Sequence, residues 1–368
     1  MAVVVQVYHT DDHALHDPPY EYFDGIIQQK YMECPERVTM ILSQLKSSSV
    51  GFEFILLDRL NPERISQIIN AAEKVHAKDY IAFLKSAYSE WSNTQTLEED
   101  GQVKPSPPLF GASYPPRHCA RSSKSILGKA GFYLKDLSCP IDQNTWDAAL
   151  ASANLALTAA EKLRQCSSRS IQFAMCRPPG HHSGKSFAAG YCYINNAALA
   201  AEFLVQESKG RVAIIDIDYH AGNGTQDIFY ERNDVFTVSI HGDPDFDYPY
   251  YAGYEDERGQ GQGYGYHRNF PLAPETDDDS YLSVLRDVLK LIGEFVPDYL
   301  VVSAGMDIFK DDPLGTFNIT TDGIRKIGEL IGTVSVPILV CLEGGYCNDA
   351  IGLNISNLLE GMRSLSPA

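Results

Sequence analysis

The chain has 368 residues, 44% of them hydrophobic, and a formal net charge of −18. That is ample apolar material for one large core, and an acid excess with no basic stripe excludes binding built on neutralising nucleic-acid phosphates. No run approaches the ~20 apolar residues of a membrane span.

Strand and helix patterns alternate along the chain. Residues 1–7 lack the basic flank and long apolar segment of a secretory leader, so a cytoplasmic protein is expected, with its eight cysteines reduced. A strand is predicted over 3–7, a helix over 35–45 with Pro35 at its first position, a strand over 54–57, and helices over 62–75 and 79–91. Residues 94–121 are polar and proline-rich, long for a plain connection, and read as a functional or interface element. An Ala-rich helix follows over 146–164, then a strand over 171–175, a helix over 195–206, and strands over 212–216 and 235–240. Residues 241–270 read as a long loop rich in Gly, Asp and Tyr. Beyond it come a helix over 280–295, a strand over 299–303, a helix over 321–331, a strand over 336–342 and a last helix over 349–362. No linker divides the chain, so a single domain over 1–368 is expected.

Four of these strands run straight into reactive residues. Residues 171–175 lead to Arg177-Pro178-Pro179-Gly180-His181-His182, and 212–215 lead to Asp216, Asp218 and His220. Residues 299–302 lead to Ser303-Ala304-Gly305-Met306-Asp307, and 336–342 lead to Glu343-Gly344-Gly345-Tyr346. In a parallel sheet such ends share one edge, where open α/β sheets place their active sites. If the strand persists past 216, Asp216, Asp218 and His220 point the same way, because side chains two apart share a face. Each piece also has a plainer reading: a capping Asp with a surface His, a loop His pair, a turn with a packed Tyr, a turn-capping Asp307.

Taken together, Asp218, His220 and Asp307 with a His pair and a Tyr suit metal-assisted hydrolysis. Two carboxylates and an imidazole leave a divalent zinc roughly neutral with one position open. Water bound there is acidified towards pH ~7. A neighbouring His can take that proton and return it to a leaving amine, and a Tyr hydroxyl can donate to the developing oxyanion.

These motifs resemble the histone deacetylase and acetylpolyamine amidohydrolase superfamily, together with Gly190-Tyr191-Cys192-Tyr193-Ile194-Asn195-Asn196, the stretch 216–226 and Pro35-Glu36-Arg37-Val38. The resemblance runs almost end to end. It implies an α/β arginase/deacetylase fold, an eight-stranded parallel sheet between helix layers. It implies a zinc-dependent deacetylase with one Zn2+ per chain on Asp218, His220 and Asp307, and zinc-bound water attacking the acetyl carbonyl. His182 becomes the general base and acid, with His181 beside it and Tyr346 polarising the carbonyl. Asp216 would pair with His181 and, with Ser239 and backbone carbonyls, help bind a structural K+. Asn223 stands where members carry Asp or Asn next to the second His, and an Asn leaves His182 without an anionic partner. Gly190, Tyr191 and Tyr248 would wall the narrow acyl-lysine channel. One departure is His220-Ala221-Gly222 where members read His-His-Gly; the replaced His is not a ligand in the family, so the metal is expected to be kept.

Residues 241–245, 248–249, 253–257 and 128–154 resemble the acetylpolyamine amidohydrolase branch. There, the loop matching 94–121 helps form a homodimer and roofs a channel for slender polycations, and Glu98, Glu99 and Asp100 would attract ammonium groups. Leu314 stands where polyamine-selective class II relatives place a Glu and looks more like a protein-lysine deacetylase. The expectation is removal of acetyl groups from acetylated polyamines or diamines, small cationic amines. Acetyl-lysine protein is the alternative. A dinuclear ureohydrolase is a remote one, since Gly222 offers no ligand to a second metal.

Overall fold

Asp216, Ser303, Cys341 and Ala174 stand side by side in register on four neighbouring parallel strands, at or one residue short of each strand's carboxyl end. The computed structural model describes residues 4–23, 27–94, 98–99, 102–103, 106–115, 121–166 and 169–364. The strands are β1 Val5–His9, β2 Phe52–Leu56, β3 Ile171–Ala174, β4 Val212–Asp216, β5 Val235–Gly242, β6 His267–Leu272, β7 Tyr299–Ala304 and β8 Ile338–Leu342. They form one eight-stranded sheet in the order β6-β5-β4-β7-β8-β3-β1-β2, parallel throughout. The four strands whose ends carry the reactive motifs, β4, β7, β8 and β3, are consecutive in it.

Both faces are covered, which is why the strands are continuous apolar runs and not alternating ones. Ile214, Val301 and Leu339 pack into one layer with helices α2 Pro62–Val75, α3 Lys78–Ser92, α4 Ile126–Tyr133, α5 Thr145–Arg164 and α6 Asn196–Ser208. Their neighbours Ala213, Ile215, Leu300, Val302, Ile338 and Val340 pack the other way, onto α1 Glu36–Ser47, α8 Asp278–Phe295, α9 Thr321–Ile331 and α10 Asn348–Ser364. Truncating one fully buried Ile such as Ile215 to Ala would cost about 2–5 kcal/mol. No helix among the described residues is long and apolar enough to cross a membrane.

The structure differs from the sequence reading in several places. The stretch read as a loop over 241–270 ends inside β6, the eighth strand, at the sheet edge. Its sequence HRNFPL has no apolar run, and Pro271 is admissible only because an edge strand has one unpaired side. Helix α4 and the short helix α7 Asn223–Phe229 were not expected; glycines at 128, 131 and 224 lower their helix propensity. Glu21–Phe23 and Ile27–Gln29 form a small antiparallel pair. Within 94–121, Glu98–Glu99 pairs antiparallel with Gln102–Val103. Of the acidic cluster expected there, Asp100 and the side chains of Glu98 and Glu99 lie outside the described residues.

Candidate active site

Strand β4 stops at Asp216, and the chain bends through 217–220. The period-two alternation therefore does not carry past Asp216. Asp216 turns to His181, while Asp218 and His220 swing together with Asp307 from the loop after β7. One potential ligand atom from each of the three lies within 4.8 Å of the others. His220 Nδ1 is 3.3 Å from Asp218 Oδ1 and 3.2 Å from Asp307 Oδ2. Backbone amides pin the carboxylates: Gly344 N donates to Asp218 Oδ2 at 2.8 Å and Tyr219 N to Asp307 Oδ1 at 2.9 Å.

The electrostatics of this group call for positive charge. Burial and the facing Asp218 push Asp307 up to about 7. Burial opposes a charge on His220, yet the two carboxylates push its pKa up to about 10. A divalent cation satisfies the same buried carboxylates, and a set of two carboxylates and one imidazole suits zinc. His181, Cys192 and Glu343 form a second close group, but Glu343 is already committed. Its Oε2 accepts from Gly180 N and His181 N, and its Oε1 from Ser303 Oγ. It holds the turn that carries the His pair.

The two histidines are placed in different environments. His181 Nδ1 lies 3.0 Å from Asp216 Oδ2; against burial, Asp218 and Asp216 hold its pKa well above the usual range. His182 Nδ1 lies 2.7 Å from Asn223 Oδ1. Burial, then the charges of His181 and His220, hold its pKa well below the usual value. The two rings lie against each other, tilted by 39° with centroids 3.9 Å apart.

A cavity of about 480 Å³ opens beside them, lined by His182, His220, Tyr346, Gly190, Tyr191, Tyr248 and Leu314, with Tyr22, Tyr114, Tyr250, Asp136 and Asp247. Gly190, Tyr191 and Tyr248, singled out in the sequence, line it together with Leu314. Gly190 and Tyr191 are consecutive residues at φ 49° and 67°. A Cβ on Gly190 would come 2.3 Å from the His182 ring, so only glycine fits there, while Tyr191 bears a strain of roughly 1–3 kcal/mol. Asp136, unmarked in the sequence, explains the turn: its Oδ2 accepts from both Gly190 N and Tyr248 Oη at 2.8 Å. Tyr346 packs on Tyr191, centroids 5.6 Å apart, with the Arg37 guanidinium 5.1 Å from its ring. Arg37 donates to the carbonyls of Gly345 and Glu343 and pairs with buried Glu33 at 2.7 Å.

Asp216 and Ser239 are register partners on β4 and β5. His241 Nε2 faces the Gly253 carbonyl at 2.8 Å and must donate to it, so Nδ1 accepts from Ser239 Oγ at 2.7 Å. Both lone pairs of the Ser239 oxygen then remain for other partners; Gly222 N uses one weakly, at 3.4 Å. At the departure from the His-His-Gly pattern, Gly253 closes over Ala221. A Cβ on Gly253 would meet the Ala221 methyl at 2.7 Å, so the small residue belongs to the packing of this loop.

The histone deacetylase domain model matches residues 31–362. The chain is 40% identical over 356 residues to acetylpolyamine amidohydrolase 1 of Pseudomonas aeruginosa, spanning 96% of this chain and 97% of that protein. It is 36% identical over 359 residues to the acetylpolyamine amidohydrolase of Mycoplana ramosa, spanning 97% and 99%. Among solved structures, acetylpolyamine aminohydrolase from Burkholderia pseudomallei superposes with a TM-score of 0.86 at 35% identity, covering 98% of this chain and 99% of that one.

Proposed function

This chain belongs to the histone deacetylase domain family, and on that premise we propose that it hydrolyses the amide bond of acetylated polyamines or diamines with one zinc ion per chain. The observation that carries the reading is the meeting of Asp218, His220 and Asp307 beside a cavity that His182 and Tyr346 line. Zinc held by those three residues supplies Lewis acidity, lowering the pKa of a water and polarising the acetyl oxygen.

The protein's own groups do the rest. An Asn oxygen can only accept, so His182 Nδ1 carries the proton and its Nε2 is a free base. His182 takes a proton at Nε2 and returns it to the departing amine nitrogen. The Tyr346 hydroxyl donates to the carbonyl oxygen as charge grows there. Tyr191 and Tyr248 flank the alkyl stem and keep water away from it. His181, held by Asp216, sets the charge next to His182. Asp216 and Ser239 offer oxygen ligands to a structural K+.

Relatives named acetylpolyamine amidohydrolase over nearly the whole chain support a polyamine substrate. Six tyrosines around the cavity favour a thin alkyl chain with a cationic end. A second reading, acetyl-lysine protein, is favoured by the apolar Leu314 in the wall. A homodimer through 94–121 belongs to the same proposal. Comparing kcat/KM for acetylputrescine, acetylcadaverine, acetylspermidine and acetyl-lysine peptides decides between the substrates; peptides that outperform every free amine would sink the polyamine reading.

A further inference from the structure

Asp312 lies on the loop after β7 and is buried. One carboxylate there serves three backbone amides from two segments. Its Oδ2 accepts from Tyr346 N at 2.6 Å and from Cys347 N at 3.0 Å, and its Oδ1 accepts from Leu314 N at 3.0 Å. The stretch 343–347 is therefore held at both sides: its carbonyls at 343 and 345 by Arg37, its amides at 346 and 347 by Asp312. Between the two holds, Gly345 takes φ 112°, and a Cβ on it would strike Met306 at 2.7 Å. The turn cannot settle by itself into a conformation open to any residue; its position comes from these outside contacts. Leu314 packs in the same small cluster as Tyr346, Tyr191 and Tyr31.

We propose that Asp312 is a positioning residue for the deacetylation, fixing the Tyr346 side chain relative to the Asp218–His220–Asp307 group and tying it to the Leu314 wall of the cavity. The inference rests on the proposed role of Tyr346. A carboxylate can accept on both oxygens, whereas the carboxamide of Asn places an NH2 group against either Leu314 N–H or the Tyr346 and Cys347 N–H pair. Donor then faces donor, and the tyrosine shifts. Misplacement of a reacting group by ~1 Å can cost on the order of 10²-fold in rate.

The test is a double-mutant cycle with Asp312→Asn and Tyr346→Phe, reading kcat, KM, metal content and melting temperature. Asp312→Asn should lower kcat by about 10- to 100-fold with metal content kept and KM changed by less than about 3-fold. Added to Tyr346→Phe, it should lower kcat by no more than about 3-fold further, because the hydroxyl it positions is already gone. If the two losses multiply, or if KM alone changes, Asp312 has a merely structural role and the inference fails while the role of Tyr346 stands. If Tyr346→Phe turns over like the wild type, the proposed role of Tyr346 fails and the inference with it. Should the Asn protein not fold, Asp312→Ser, which leaves a gap in place of an opposing donor, gives the same comparison.

Discussion

His182 Nδ1 sits 2.7 Å from Asn223 Oδ1, a bond that leaves the imidazole neutral and turns its basic nitrogen to the cavity. Replacing Asn223 by Asp sets a carboxylate there and favours the imidazolium. A group that must be neutral to act then titrates at higher pH. The acid limb of kcat/KM in Asn223→Asp should move up by about one unit or more relative to the wild type. An unmoved limb in a folded, metal-bearing variant would remove His182 from the role of base.

Elemental analysis should find one divalent ion per chain after reconstitution. Asp307→Ala should lose that ion and the activity together, since it removes one of the three side chains proposed to hold it. Two equivalents in the wild type, or an Asp307→Ala protein that keeps its metal, would contradict a mononuclear site on these residues.

Salt should discriminate among substrates. The chain carries −18 formal charges, and Asp136 and Asp247 line the cavity against one lysine, Lys135. Steering of a cation is screened with a Debye length of ~10 Å at 0.1 M salt. Hence kcat/KM for acetylated diamines should fall as ionic strength rises, while a neutral acetylated amide should change little. Equal salt dependence for both would show that the field plays no part.

Buried histidines set an acid limit on stability. His76 Nδ1 donates to the Gly184 carbonyl at 2.8 Å, and its Nε2 accepts from Asn195 N at 3.0 Å. A second proton would face an N–H donor, and burial lowers the pKa to about 4. The folded pKa lies below the unfolded value of ~6.5. The stabilisation is therefore present above pH ~6.5 and is lost as pH falls towards 4, because the unfolded chain takes the proton first. The loss for His76 amounts to roughly 3 kcal/mol at most. In urea unfolding, the gap between wild type and His76→Gln should narrow from pH 7 to pH 4.5. A constant gap would mean that His76 carries the same charge in both states.

The sequence by itself determined the α/β class, seven of the eight strands and the residues at their ends. Apolar runs long enough to be buried on both faces mark the strands of a parallel sheet. Because Asp218, His220, Asp307, His181, His182 and Tyr346 follow directly on such runs, their common edge is legible without coordinates. Strand β6 is not, since an edge strand with Pro271 has neither the run nor the alternation. What only the tertiary structure decided is how those residues are aimed. Asp216 turns from the Asp218–His220–Asp307 group to His181 because the chain bends at the strand end, and local periodicity does not report a bend. Asp136 reaches Gly190 and Tyr248 across 54 and 112 positions, and Asp312 reaches Tyr346 across 34. Such bonds join segments whose patterns are independent of one another, so no spacing within either segment announces them. They appear only when the fold brings a buried carboxylate to amides and a hydroxyl that water can no longer serve.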